Sequence, residues 1–170
     1  MDISYIEKAL SLLERETPLK AHDCGKFCDA ICCKGDVLNS AVFLFPGEKE
    51  IFLNQNYKFL HTKANFGYDA LICYGKCNRK YRPFGCRIFP LFPLATKIGD
   101  KVKISVVFDP RANMICPLSN NMNVISKSFI RAVKRAGEYL ILDKEIEKYL
   151  LSLSQELREY ADLSHKIGIN

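Results

Sequence analysis

Residues 94–108 read LATKIGDKVKISVVF. Val102, Ile104, Val106 and Phe108 alternate with mostly polar neighbours, the period of a strand with one buried face. Gly99-Asp100 ahead of them is a two-residue hairpin turn, so the chain from about Leu94 to Ile98 is expected to pair back on the strand. An apolar run from Ala41 to Phe45, closed by the turn signal Pro46-Gly47, reads as another buried strand. Tyr57 to Thr62 also alternates, with Asp69 to Cys73 as its hairpin partner across Asn65-Phe66-Gly67. The expectation is a small, mostly antiparallel sheet.

Helical spacing brackets that sheet. Ile3, Ile6, Leu10 and Leu13 predict an amphipathic helix from about Ile3 to Glu16, ending before Pro18. After Cys116-Pro117 one apolar stripe runs Ile125, Phe129, Val133, Ala136 and Leu140, with Lys127, Arg131, Lys134 and Arg135 mostly off it. Asp143 is placed to cap a last helix with the stripe Ile146, Leu150, Leu153, Leu157 and Tyr160. These two helices are expected to pack as a hairpin. The fold class is therefore α+β: a small sheet, a cysteine-rich metal-organised region, an N-terminal helix and a C-terminal helical hairpin. A single domain over residues 1–170 is expected, with a cysteine core at about 22–117 and the C-terminal helices at about 122–163.

The 170 residues are 48% hydrophobic and 26% charged, ordinary values for a chain that buries one core. MDISYIEKALSLLERE mixes acids and bases through its apolar positions, unlike an export signal. No apolar run is long enough to span a bilayer, so no membrane is expected. The expected location is cytoplasmic, where thiols stay reduced and clustered cysteines are more often metal ligands than disulfides.

All but one of the eight cysteines fall in two windows. Cys24, Cys28, Cys32 and Cys33 form the first, in a stretch from His22 to Asp36 with too little aliphatic surface for a core element. Cys73, Cys77 and Cys86 form the second, and Cys116 follows alone. Scattered core cysteines would not produce such windows. On a helix Cys24, Cys28 and Cys32 would project from nearly one face, each about 40° beyond the last, with Cys33 pointing elsewhere. Thiolates repel unless a cation gathers them, and zinc or iron suits sulfur better than magnesium or calcium does. Two sets of four is the simplest partition, since tetrahedral zinc and a cubane cluster each take four sulfurs; the pairing across windows stays open. No C-x-x-C pair occurs, so the zinc-ribbon knuckle is missing. Nor does the run Cys24, Cys28, Cys32 match the C-x-x-x-C-x-x-C loop of radical SAM enzymes.

The formal charge of +6 is modest, but its placement is uneven. Between Asp69 and Asp100 no acid occurs, while Lys76, Arg79, Lys80, Arg82, Arg87 and Lys97 do. Arg82 and Arg87 are placed to offset thiolate charge from just outside the ligand set, which explains the basic stretch without nucleic acid.

C-G-K-F-C-D-A-I-C-C at 24–33 and Y-R-P-F-G-C-R-I-F-P at 81–90 resemble the YkgJ-type cysteine-cluster family, a zinc- or iron-chelating group. The positions that carry the resemblance are Cys24, Cys28, Cys32, Cys33, Cys73, Cys77, Arg82, Pro83, Cys86, Arg87 and Pro90. Here three residues precede the Cys-Cys pair where the family has two. The resemblance implies chelation without an assigned reaction. A related cluster in flagellin lysine methylases implies an enzymatic alternative.

The leading expectation is a cysteine-ligated metal-binding protein that takes zinc, with an iron–sulfur cluster as the alternative, in a structural, metal-handling or partner-binding role. Four thiolates per ion leave no open position for substrate. An iron–sulfur enzyme of redox or methyl-transfer type, with Cys33 or Cys116 kept for chemistry, is the alternative. A second alternative is nucleic-acid binding through the basic segment 76–97, with affinity that falls with salt. His22 reads as a loop residue beside Cys24, His61 and His165 as structural or exposed. Asp109, in the FDPR turn, is a candidate to orient Arg87.

Overall fold

The computed structural model describes residues 2–20, 22–34, 41–53, 59–63, 69–73 and 79–168. Its first element, α1 (Ser4–Leu12), starts where the Asp2 carboxylate accepts the Ser4 N–H at 2.9 Å. Nine residues are too few to hold a helix alone in water, so packing holds it. Ile6 and Leu13 are fully buried and Leu10 nearly so, each worth about 1.5–3 kcal/mol on leaving water.

The hairpin expected from residues 94–108 is present and longer than the alternation showed. β4 (Leu91–Ile98) pairs antiparallel with β5 (Lys101–Phe108), from Leu91↔Phe108 to Ile98↔Lys101. Gly99 supplies the positive φ of 58° that the two-residue turn requires. Two long helices, α4 (Lys127–Leu140) and α5 (Lys144–Lys166), both lay their apolar faces on this hairpin. Asp143 caps α5 by accepting the N–H groups of Glu145 and Ile146 at 2.9 and 3.0 Å. The stripe Ile125, Phe129, Val133, Ala136, Leu140 is buried, as are Ile146, Leu150, Leu153 and Leu157. Tyr160 departs from the expected stripe and stands 44% exposed, because α5 runs on past the end of the core.

Where α4 crosses the hairpin the backbones come close. A Cβ on Gly137 would lie 2.6 Å from Pro93 Cβ and 3.0 Å from Ile104 Cγ2. Proline cannot swing aside, so Gly137→Ala should force the helix off the sheet. We expect a net loss of about 1–2 kcal/mol in urea unfolding, although alanine is the better helix former by about 1 kcal/mol. The outer edge of β4 is covered by α5: Ala95 N–H donates to Ser154 Oγ at 2.9 Å, and Arg158 Nη2 donates to Ala95 O at 2.7 Å.

The other strands form a separate sheet, so the single sheet expected from the sequence is in fact two. β1 (Ala41–Phe43), β2 (Phe59–Lys63) and β3 (Asp69–Cys73) are antiparallel in the order β1-β3-β2, with registers Ala41↔Ile72 and Phe59↔Cys73. The expected turn at 65–67 lies outside the described residues. A short helix not foreseen, α2 (Glu48–Leu53), follows Pro46-Gly47, and Leu44, Phe52 and Leu71 make a small core beneath this sheet. The Phe45 ring joins it to the main core, meeting Phe84 edge-on at 4.8 Å and Tyr149 at 5.2 Å.

Two contacts close the frame around the cysteine-bearing middle of the chain. Ser126 N–H donates to Pro18 O at 2.8 Å, and Ser128 Oγ donates to Glu16 Oε2 at 2.7 Å. Among the described residues no helix is long and apolar enough to cross a membrane.

Candidate metal centre

The first cysteine window is two short turns folded on each other, in place of a regular helix. Asp23 opens the first, its carboxylate accepting Gly25 N–H at 3.3 Å over the 3₁₀ turn Cys24–Lys26. Cys28 Sγ lies 3.7 Å from Cys24 O. Asp29 and Ala30 then take left-handed φ values of 52° and 51°, which end any helix and reverse the chain. Ala30 N–H reaches back to Gly25 O at 2.8 Å, laying the second 3₁₀ turn, Ile31–Cys33, over the first. The window is thus a loop of short turns, and the single face that a regular helix would give Cys24, Cys28 and Cys32 is broken at Asp29. The Cys32 and Cys33 side chains are within hydrogen-bonding reach of each other in the second turn.

The second window is delivered by α3 (Phe84–Ile88), a short helix that carries Cys86 and follows Pro83. Arg87 is buried and directed at main chain: Nε donates to Arg82 O at 2.9 Å, Nη1 to Leu10 O at 3.1 Å and Nη2 to Lys80 O at 2.7 Å. It ties the end of α1 to the segment before Cys86. Arg82 is the guanidinium turned toward the first window, with Nη2 3.5 Å from Asp23 Oδ2. Its charge acts on Cys24.

Cys116 follows the turn Pro110–Ala112, where its N–H bonds Ala112 O at 2.8 Å. Asp109 does not orient Arg87 as expected. It is paired with its neighbour Arg111, whose Nε and Nη2 lie 2.8 and 2.5 Å from the two carboxylate oxygens. Burial alone would lower the Arg111 pKa, and the Asp109 carboxylate more than reverses that. The Arg111 guanidinium also covers the Phe43 ring at 5.0 Å.

The structure thus brings together cysteines from three distant parts of the chain. Cys24 feels Cys28 and Cys116; Cys32 feels Cys33, Cys86 and Cys24; Cys116 feels Cys28. Burial, then Asp23 and the neighbouring thiols, push Cys24 up to about 11, against the pull of Arg82. The hydrogen bond to Cys33 and burial push Cys32 far up, and burial raises Cys116. Such thiols hold their protons near neutrality, and a soft cation is what can displace them. No disulfide joins any of the described cysteines Cys24, Cys28, Cys32, Cys33, Cys86 and Cys116. Among the described residues no three His, Cys, Asp or Glu side chains stand together in a group able to hold a metal ion as placed. Cys77 lies outside the described residues, and for Cys73 only the main chain, paired with Phe59, is described. The donor set is sulfur, which fits zinc and iron and does not fit magnesium or calcium.

His22 packs its ring edge-on against Phe27 at 6.3 Å, and His165 is exposed in the last turn of α5. His61 sits opposite Leu71 in the β2–β3 register. Lys127, Arg131, Lys134 and Arg135 are exposed on α4, with Lys134 Nζ 3.7 Å from Glu138. Two residues that support the site were not foreseen. Asp23 stands directly before Cys24; it caps the local turn through Gly25 and meets Arg82, a partner 59 residues away. Glu48 is fully buried and accepts Phe45 N–H at 2.9 Å and Phe84 N–H at 2.5 Å, so it holds the start of α3. No family model, curated protein or solved structure matches the chain.

Proposed function

We propose that this is a cytoplasmic, cysteine-ligated metal-binding protein that takes zinc, or alternatively an iron–sulfur cluster, in a structural, metal-handling or partner-binding role. What supports the reading is that Cys24, Cys28, Cys32, Cys33, Cys86 and Cys116 come from three separate stretches of sequence, and that within this set the charges of Cys28 and Cys116 act on Cys24 and that of Cys86 on Cys32. The resemblance of residues 24–33 and 81–90 to the YkgJ-type family points the same way. Cys24, Cys28, Cys32, Cys33, Cys86 and Cys116 would hold the metal, with Cys73 and Cys77 as the remaining sulfur donors. Arg82 would offset thiolate charge, and Arg87 would keep Cys86 in place by fixing the backbone ahead of it.

The deciding experiment is metal analysis and an absorption spectrum of protein purified without oxygen. Bound zinc without colour, or a brown protein containing iron and sulfide, is expected. A colourless, metal-free and stably folded protein would sink the reading. Removal of the metal by a chelator should abolish hydrogen-exchange protection at 22–34 and 79–88 first. The α4, α5 and β4–β5 frame, which buries its own core, should keep its protection.

A further inference from the structure

We infer that the outer edge of β5 is a docking site for an extended, acidic segment of another protein, which joins the β4–β5 hairpin as a third strand. The inference does not depend on the metal-binding reading. The two-residue turn makes Ile98↔Lys101 a hydrogen-bonded pair, and the bond from Asp109 N–H to Pro90 O at 2.9 Å keeps the same phase at the far end. Pro93 and Ala95 on β4, and Val102, Ile104 and Val106 on β5, therefore aim their main-chain groups outward. The β4 edge is closed: Ala95 bonds Ser154 and Arg158 of α5, and Pro93 has no N–H to offer. On β5 none of the outward groups of Val102, Ile104 and Val106 has a hydrogen-bond partner among the described residues. These three residues present a row of N–H and C=O groups over about 17 Å, a template for strand addition.

The side chains beside the edge specify the strand that fits. Ile104 turns to the face covered by α4, where a Cβ on Gly137 would meet its Cγ2. Val102 and Val106 share that face and are half-buried, while Lys101, Lys103 and Ser105 stand exposed on the other. No acid occurs between Asp100 and Asp109. An added strand thus meets valines on one face and lysines on the other, and apolar residues alternating with Asp or Glu answer both. Exposed Lys127 and Arg131 on α4, which packs on the same hairpin, strengthen the attraction for an acidic chain.

A second copy of this chain does not fit. Lysine on an edge strand guards against self-pairing. In an antiparallel β5–β5 pair centred on Ile104, Lys101 and Lys103 of both copies would crowd one face with no acid to balance them. Nucleic acid could answer the lysines, but it has no main-chain donors and acceptors at strand spacing to complete the ladder.

The test is an NMR titration of the full, isotope-labelled chain at about pH 7, where glutamate is ionised, with a capped synthetic peptide of alternating valine and glutamate. The amide signals of Val102, Ile104 and Val106 should move downfield and their exchange with solvent should slow. Those of Lys103 and Ser105, already bonded to β4, should stay in place. N-methylation of the peptide's valines, which stand opposite Val102, Ile104 and Val106 in an antiparallel ladder, should abolish binding. Replacing both lysines together, Lys101→Glu with Lys103→Glu, should weaken binding about tenfold and admit a valine–lysine peptide instead. Both side chains are exposed, so the exchange leaves the core intact. Edge amides that do not move at millimolar peptide overturn the inference, as does binding that survives N-methylation. A short single-stranded DNA that shifts the same amides overturns it in favour of nucleic acid. Edge signals that move with protein concentration alone overturn it in favour of a second copy.

Discussion

Arg87→Ala should lower the free energy of unfolding by about 3–5 kcal/mol, because three hydrogen bonds from one buried charged group are lost together. The guanidinium donates to the carbonyls of Leu10, Lys80 and Arg82. Alanine would leave those acceptors without their charged donor, and a bond to a charged group is worth about 1.5–3 kcal/mol. The Leu10 carbonyl belongs to the last turn of α1, where a cation is favoured by the helix dipole as well. Against a total stability of about 5–15 kcal/mol, the loss should lower the urea midpoint by about a fifth or more. Arg87→Lys should recover less than half of it, because one ammonium cannot span three carbonyls set around a planar fork. A loss below about 1 kcal/mol would show that water replaces the side chain, and the clamp would then be dispensable.

The second large effect belongs to Glu48 and depends on pH. Burial raises its carboxyl to about 7, against the two N–H groups of Phe84 and Phe45 and the charge of Arg87, which favour the ionised form. The folded pKa lies above the unfolded one, so the sign is opposite to that of an ordinary surface carboxylate. Below about pH 4.5 both states are protonated, and above about pH 7 both are ionised. Between these limits the unfolded chain has lost a proton that the folded chain keeps. Stability should therefore fall by about 1.4 kcal/mol per pH unit across the window, about 3 kcal/mol in all. Glu48→Gln should flatten that slope in urea unfolding curves taken from pH 4.5 to 7.5. It should also cost about 1–3 kcal/mol at the acid end, since the amide NH₂ has no lone pair for the backbone N–H it would face, whereas both oxygens of the protonated carboxyl can still accept. An unchanged slope in the variant would show that Glu48 does not titrate in this range.

Much of the frame could be read from the chain because its signals are local. Val102, Ile104 and Phe108 alternate, Gly99-Asp100 turns, and the stripes on α4 and α5 repeat at helical spacing, so each element announces itself within a few residues. Tyr160 broke its stripe because periodicity does not say where the core ends. The division into two sheets was not legible, since strand pairing is a long-range choice that alternation does not encode. At the site, residue types pointed to sulfur chemistry, but the local shape of the first window depended on two successive left-handed residues, of which Asp29 is of a type that visits that region and Ala30 is not. Arg87 and Arg82 looked alike in sequence. Burial separates them, sending one to carbonyls and the other toward Asp23 and Cys24.

The hydrogen bond from Ser126 to Pro18 has a consequence for biosynthesis. A ribosome releases the chain from its N-terminus, so every cysteine from Cys24 to Cys116 is made before α4, against which α1 packs. Until α4 emerges, α1 lacks the partner that buries Ile6 and Leu13, and the bracket around the thiols stays open. On the metal-binding reading proposed above, the interval between synthesis of Cys116 and emergence of α4 is when the thiols are open to a metal ion, and translation pauses after residue 126 would lengthen it.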